Sequence, residues 1–202
     1  MTTKSLSGIT ATLLVAFAAF GCAHDMSGMA GPGWNTLFDG KNIDQWHQVG
    51  DVTWRIEDGA VVADKKTGKN NGFLVTNRSY QDFELHAEFW VSHDANSGIY
   101  MRCQSATALT DKTCYEANIF DERKDPTFGT GALVHIAKVV PMPKAGGKWN
   151  TYDITVKGTH IVLVLNGVKT VDVESDLLKS GPIGLQYAAG VVKFRNVRIK
   201  EL

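Results

Sequence analysis

The chain has 202 residues, 44% of them hydrophobic, and its 21 basic and 21 acidic side chains cancel to zero net charge. That length and apolar content suffice for one well-buried core. Neutrality without a Lys/Arg cluster argues against a nucleic-acid partner, whose phosphates need concentrated positive charge.

The first 22 residues read as a targeting segment rather than part of the fold. Lys4 supplies the positive start, and Ile9–Phe20 is an apolar stretch of twelve residues, too short to span a bilayer as a helix. It ends in Ala19-Phe20-Gly21-Cys22, which resembles a bacterial lipobox with Cys22 as the lipidated first residue of the mature chain. Ala19 stands where Leu is usual, so ordinary cleavage nearby is the alternative. Either route implies export to the periplasm or, as a lipoprotein, to the outer membrane. The membrane would then be a partner only through Cys22. Residues 23–33 are Gly-rich and without periodicity, as a flexible tether requires.

From Trp34 onward, turn chemistry punctuates short alternating runs. Trp34–Trp46 gives a short strand and a turn at Asp39-Gly40. Val52–Ala63 is a hairpin turning at Asp58-Gly59, since an Asp-Gly pair between alternating runs is a strong hairpin signal. A polar loop, Lys65–Gly72, precedes the short strand Phe73–Thr76.

Asp82–Arg102 is the organising stretch. Phe83, Leu85, Ala87 and Phe89 alternate with Glu84, His86, Glu88 and Trp90, which predicts a strand with one apolar and one polar-aromatic face. After a loop at Asp94–Gly98, a second strand puts Ile99 and Met101 on one side and Tyr100 and Arg102 on the other. Acid, aromatic and guanidinium groups on one surface suit a polyhydroxylated ligand.

Cys103 and Cys114 flank a ten-residue polar loop. In an exported protein this spacing suits a disulfide across the base of a hairpin, contributing on the order of 2–3 kcal/mol. Tyr115–Asp121 continues as a strand with Glu116, Asn118 and Phe120 on one face. Asp121–Thr130 is a charged loop placed to wall a groove, and Gly131–Val140 is expected to return as a strand carrying His135. Trp149–Lys157, His160–Leu165 and Val168–Val173 form a three-strand meander turning at Gly158-Thr159 and Asn166-Gly167. Ser175–Lys179 hints at a helical turn. In Val191–Lys200, Val192, Phe194, Val197 and Ile199 share a face only if a bulge falls near Asn196. About a dozen strands and almost no helix imply an all-β, two-sheet jelly-roll sandwich.

Leu37-Phe38-Asp39-Gly40, Trp54-x-Ile56-Glu57-Asp58-Gly59, Asn96-Ser97-Gly98-Ile99, Tyr115-Glu116, Trp149-Asn150-Thr151-Tyr152, Leu165-Asn166-Gly167, Gly181-Pro182-Ile183-Gly184-Leu185-Gln186 and the closing Phe194–Lys200 occur in that order. Together they resemble the 3-keto-disaccharide hydrolase domain family, a concanavalin-like jelly roll. The resemblance covers 34–202. It implies cleavage of glycosides whose sugar carries a ketone at C3.

That ketone acidifies the hydrogen on C2, so a carboxylate can remove it and the enolate can expel the C1 substituent. Such a site needs a base, a cation or donors for the enolate oxygen, and an acid for the leaving group. Glu88 and Glu116 are the base and acid candidates, with no sequence basis for ordering them, and Arg102 is the oxyanion partner. Asn96, Asn118, Asp121, His135, Trp149 and Gln186 are candidates for binding the small carbohydrate substrate. No cofactor is required by this chemistry. A divalent ion held by His93-Asp94, Asp121-Glu122 and His135 is the alternative, although no compact metal-ligand motif is present. The competing class is a non-catalytic carbohydrate-binding module on the same fold. A cleft with two convergent carboxylates would favour the enzyme, and a shallow aromatic platform the module.

Overall fold

The computed structural model describes Met1 and residues 32–202. The leader, Cys22 and nearly all of the tether lie outside the described residues.

Among the described residues, thirteen strands fold into two antiparallel sheets packed face to face. One sheet has eight strands. Its central strand β6 (Phe83–Val91) lies between β9 (Trp149–Lys157) and β13 (Val192–Glu201). The meander continues outward from β9 through β10 (His160–Leu165) to β11 (Val168–Glu174). On the far side of β13 lie β1 (Asn35–Phe38) and the hairpin β3 (Arg55–Glu57) and β4 (Ala60–Ala63). The second sheet has five strands: β2 (Trp46–Val49), β5 (Gly72–Thr76), β12 (Gly184–Tyr187), β7 (Ser97–Met101) and β8 (Tyr115–Ile119), in that order. This is the expected jelly-roll sandwich.

The core lies between the sheets, and strict alternation supplies it. Phe83, Leu85, Ala87 and Phe89 point inward from β6, and Tyr115, Ala117 and Ile119 point inward from β8. The bulge foreseen in β13 is present. The β6–β13 register shifts between Arg195 and Arg198, with Asn196 at φ 48°. One inserted residue there turns Val197 and Ile199 back onto the face of Val192 and Phe194, and all four are buried.

Two expected elements differ. Gly131–Val140 is not a strand of either sheet. Gly131 and His135 have φ of 92° and 65°, and the chain turns back on itself through Ile136 N to Leu133 O, 3.0 Å. The segment still covers the free edge of β8, donating from Gly131 and Val134 to the carbonyls of Asn118 and Glu116; such cover keeps an edge from pairing with other chains. Ser175–Lys179 forms no helical turn, because tertiary partners take its polar groups. Leu178 N donates to the Tyr115 hydroxyl, and Leu178 O accepts from Arg102.

Candidate active site

The outer face of the five-stranded sheet carries a cleft of about 560 Å³. Its floor is Tyr100 of β7, Glu116 of β8, Gln186 of β12 and Phe73 of β5, and Asn70, Asn71, Asn96 and Arg123 also line it. Thr107–Asp111 of the loop between the cysteines forms a wall. The Cys103–Cys114 disulfide closes that loop. Leu109 pins it to the sheet, packing in a small apolar cluster with Phe73, Val75 and Tyr100. Gly184 makes this possible, because a Cβ there would sit 2.6 Å from a Leu109 methyl.

Antiparallel register sets the polar floor. Tyr100 lies directly opposite Glu116, and Gly98 opposite Asn118. A Cβ on Gly98 would fall 2.9 Å from Glu116 Oε1, so the glycine leaves the carboxyl room to lie across β7. Gln186 Nε2 donates to the Tyr100 hydroxyl at 2.9 Å. The buried Gln186 Oε1 has no partner among the described residues, an acceptor left available in the cleft floor.

Glu116 is the electrostatic centre. Burial in the cleft floor pushes its carboxyl up to about 7; Asp111 adds to the rise, while the Tyr100 hydroxyl and Arg123 pull the other way. A carboxyl poised near neutrality inside a cleft is suited to moving protons. Burial, with Glu116 next to it, pushes the Tyr100 phenol far up, so it stays protonated and can donate.

The residues singled out from the sequence divide. Glu116, Asn96 and Gln186 come together in the cleft. Glu88 does not join them, because β6 is in the other sheet and its polar face is that sheet's outer surface. There Arg195 Nε and Asn196 Nδ2 reach Glu88 at 2.7 and 2.9 Å. Burial works to raise its pKa, but these bonds outweigh it and hold the carboxyl below its ordinary value. Trp149 is on that same surface, with the Arg195 guanidinium 3.8 Å above its ring.

Arg102 leaves the face of Tyr100 because β7 ends at Met101 and Arg102 takes φ 49°. Its buried guanidinium binds the carbonyls of Gln81, Gly158 and Leu178 and one Asp82 oxygen at 2.9 Å. That makes it a tie between chain segments, and it is not among the residues that line the cleft. Asn118 is wholly buried and donates to Phe128 O, 2.7 Å. Asp121 is spent holding two loops: its carboxylate accepts from Thr130 Oγ1 and from the Ala145 and Gly146 amides. His135 pairs with Asp111 at 2.9 Å, at the rim rather than on the floor. The cation ligands considered from the sequence are therefore not gathered. Among the described residues no group of three or more His, Cys, Asp or Glu side chains is arranged to hold a metal.

Asp111, Arg123, Tyr100 and the Asn70-Asn71 pair were not among the sequence candidates. For Tyr100 the signal was present, since alternation put it on the outward face beside Glu116. Asp111 and Arg123 sit in loops, where no periodicity marks direction.

The fold and this cleft define a lectin-like jelly roll with a buried acid in a polar, sugar-compatible groove. The chain belongs to the 3-keto-alpha-glucoside-1,2-lyase-like domain family, whose profile matches residues 33–200. A 3-keto-disaccharide hydrolase of Bacteroides thetaiotaomicron is 27% identical over 229 aligned positions, covering 84% of this chain and 79% of that protein. A Parabacteroides distasonis crystal structure, provisionally named a glycosyl hydrolase, superposes with TM-score 0.72 at 20% identity over 84% of this chain and 94% of that one. A carbohydrate-binding module from Bacillus subtilis shares the fold at TM-score 0.57 and 16% identity, over 84% and 96% of the two chains.

Proposed function

We propose that this protein hydrolyses 3-keto glycosides in the cleft over Glu116, by elimination followed by hydration. The observation that carries the reading is the buried Glu116 carboxyl, pushed up to about 7 among donors that face the same space. Family membership supports the substrate class.

In this reading Glu116 takes the C2 proton, and the C–H electron pair becomes the enolate of the C3 ketone. Arg123 and the Tyr100 hydroxyl supply positive charge and a donor for that oxygen, which is where such groups lower a barrier most. The enolate collapses to C3=O and C1=C2, and the aglycone leaves with the C1–O pair. A proton goes to the leaving oxygen, and Asp111 is the second acid group facing the cleft. Water then adds across C1=C2, OH to C1 and H to C2, giving the free 3-keto sugar. Asn70, Asn71, Asn96 and Gln186 provide the amides for the remaining hydroxyls.

The alternative, sugar binding without chemistry, fits less well. The cleft holds Glu116 and Asp111 together, and its aromatic residues Phe73 and Tyr100 are buried rather than displayed as a platform. Export with a lipid on Cys22 would place such an activity at the cell envelope; a Cys22→Ser variant that still partitions with membranes would oppose the anchor.

Incubation with a 3-keto glucoside and with its unoxidised parent tests the activity. Cleavage of the keto sugar alone, with solvent deuterium entering at C2, is expected, because the parent C2–H lacks an adjacent carbonyl. Equal cleavage of both would end the elimination mechanism.

A further inference from the structure

A second cleft, of about 390 Å³, opens on the other side of the disulfide-closed loop. Its lining is mainly apolar: Tyr115, Val134, Ile136, Leu177 and Leu178, with Gln104 and Lys112 at its edges. Leu177 is 71% exposed, so this wall of the cleft presents apolar surface to whatever enters it. Asp111 lines both clefts, so the two adjoin at one side chain. His135 marks the junction. It holds Asp111 at 2.9 Å from a left-handed backbone, φ 65°, a conformation that side chains adopt at a cost and that clusters at ligand sites.

We propose that this second cleft is the leaving-group subsite, and that it selects 3-keto glycosides with a flat apolar aglycone, such as an aryl group. The proposal rests on reading the first cleft as the sugar site. The division of chemistry carries it. The first cleft offers amides, a hydroxyl and charges, which match a sugar ring. The second offers aliphatic and aromatic carbon, which matches a group that brings few hydroxyls. A ring seated over Glu116 with its C1 bond directed toward Asp111 sends its aglycone past the hydrogen-bonded Asp111–His135 pair toward Ile136 and Leu177.

The test compares 4-nitrophenyl and methyl 3-keto-glucosides on the whole exported chain. The aryl group is also the better leaving group, so the deciding quantity is how variants change the ratio of the two kcat/KM values. Leu177→Asp places a charge on the apolar wall, and Lys112→Trp fills the cleft from an exposed position; neither change disturbs the core. Each is expected to lower the aryl-to-methyl ratio roughly tenfold, the discrimination a small apolar contact carries, while Leu177→Met keeps the ratio of the parent. An unchanged ratio in both variants overturns the subsite and leaves the sugar site standing. A parent protein that cleaves neither keto glucoside overturns the sugar site, and the subsite with it.

Discussion

Glu88 and Glu116 occupy matched positions on the outer faces of the two sheets, yet their chemistry differs. On the eight-stranded sheet Glu88 faces solvent beside Arg195 and Asn196, and their hydrogen bonds hold it ionised. On the five-stranded sheet Glu116 sits under a disulfide-closed loop with no ion-pair partner among the described residues, and burial pushes it to about 7. The strand pattern is the same in both. Cover by a loop, and the partner standing opposite, decide which carboxyl is held near neutrality and which joins a surface ion pair.

The sharpest way to break that contrast is to remove each acid in turn. Glu116→Gln keeps the shape but removes basicity, so steady-state kinetics on a 3-keto glucoside are expected to show a loss of roughly 10²–10⁴-fold. Glu88→Gln should stay near the parent rate. The reverse order would move the catalytic face to the other sheet.

Arg102 extends the contrast from rate to stability. Arg102→Leu strands Asp82 and three carbonyls, and losing one partner of a buried pair costs about 3–5 kcal/mol. Asp82 keeps partial exposure, so about 3 kcal/mol is the expected loss in urea unfolding. A folded, fully stable variant with no turnover would instead return Arg102 to the chemistry.

pH separates the two acids by sign. The folded pKa of Glu116 lies above its ordinary 4.5, at about 7. Between these values the native state keeps a proton that the unfolded chain releases, so stability falls as pH rises through the window. At about 1.4 kcal/mol per unit the loss approaches about 3 kcal/mol above pH 7, and it should vanish in Glu116→Gln. Glu88 acts oppositely, because its lowered folded pKa adds stability that is lost on acidification through that pKa. Activity that depends on the Glu116 carboxylate should fall below an apparent pKa near 7. Denaturation curves between pH 4 and 8, and a kcat/KM profile, read both effects.

The cover itself can be loosened. Replacing Cys103 and Cys114 by Ser should lower stability by about 2–3 kcal/mol, the worth of closing so short a loop. It should also raise KM, since Thr107–Asp111 walls the cleft. The smallest effect belongs to the surface pair. Arg195→Ala, which leaves Glu88 with Asn196 as its remaining partner, should cost about 1 kcal/mol or less, measurable as a small shift in thermal midpoint.

What the sequence determined by itself is local. Period-two alternation separated the two faces of β6 and of β8. Asp58-Gly59 and Asn166-Gly167 placed hairpins where positive φ is observed, and the spacing of Val192, Phe194, Val197 and Ile199 required the bulge at Asn196. Cys103 and Cys114 announced their bond through a short polar loop. The tertiary structure alone decided which outward faces meet. Alternation says that Glu88 and Glu116 both point away from the core, but a sandwich has two outer faces, and only the strand order β6 in one sheet and β7-β8 in the other separates them. In the same way Arg102 kept its place in the alternating pattern until its backbone left the strand, and Asp111, Arg123 and His135 took their directions from loop contacts. A side chain's face is fixed by its nearest neighbours in the chain, whereas its charge state is fixed by what folds over it.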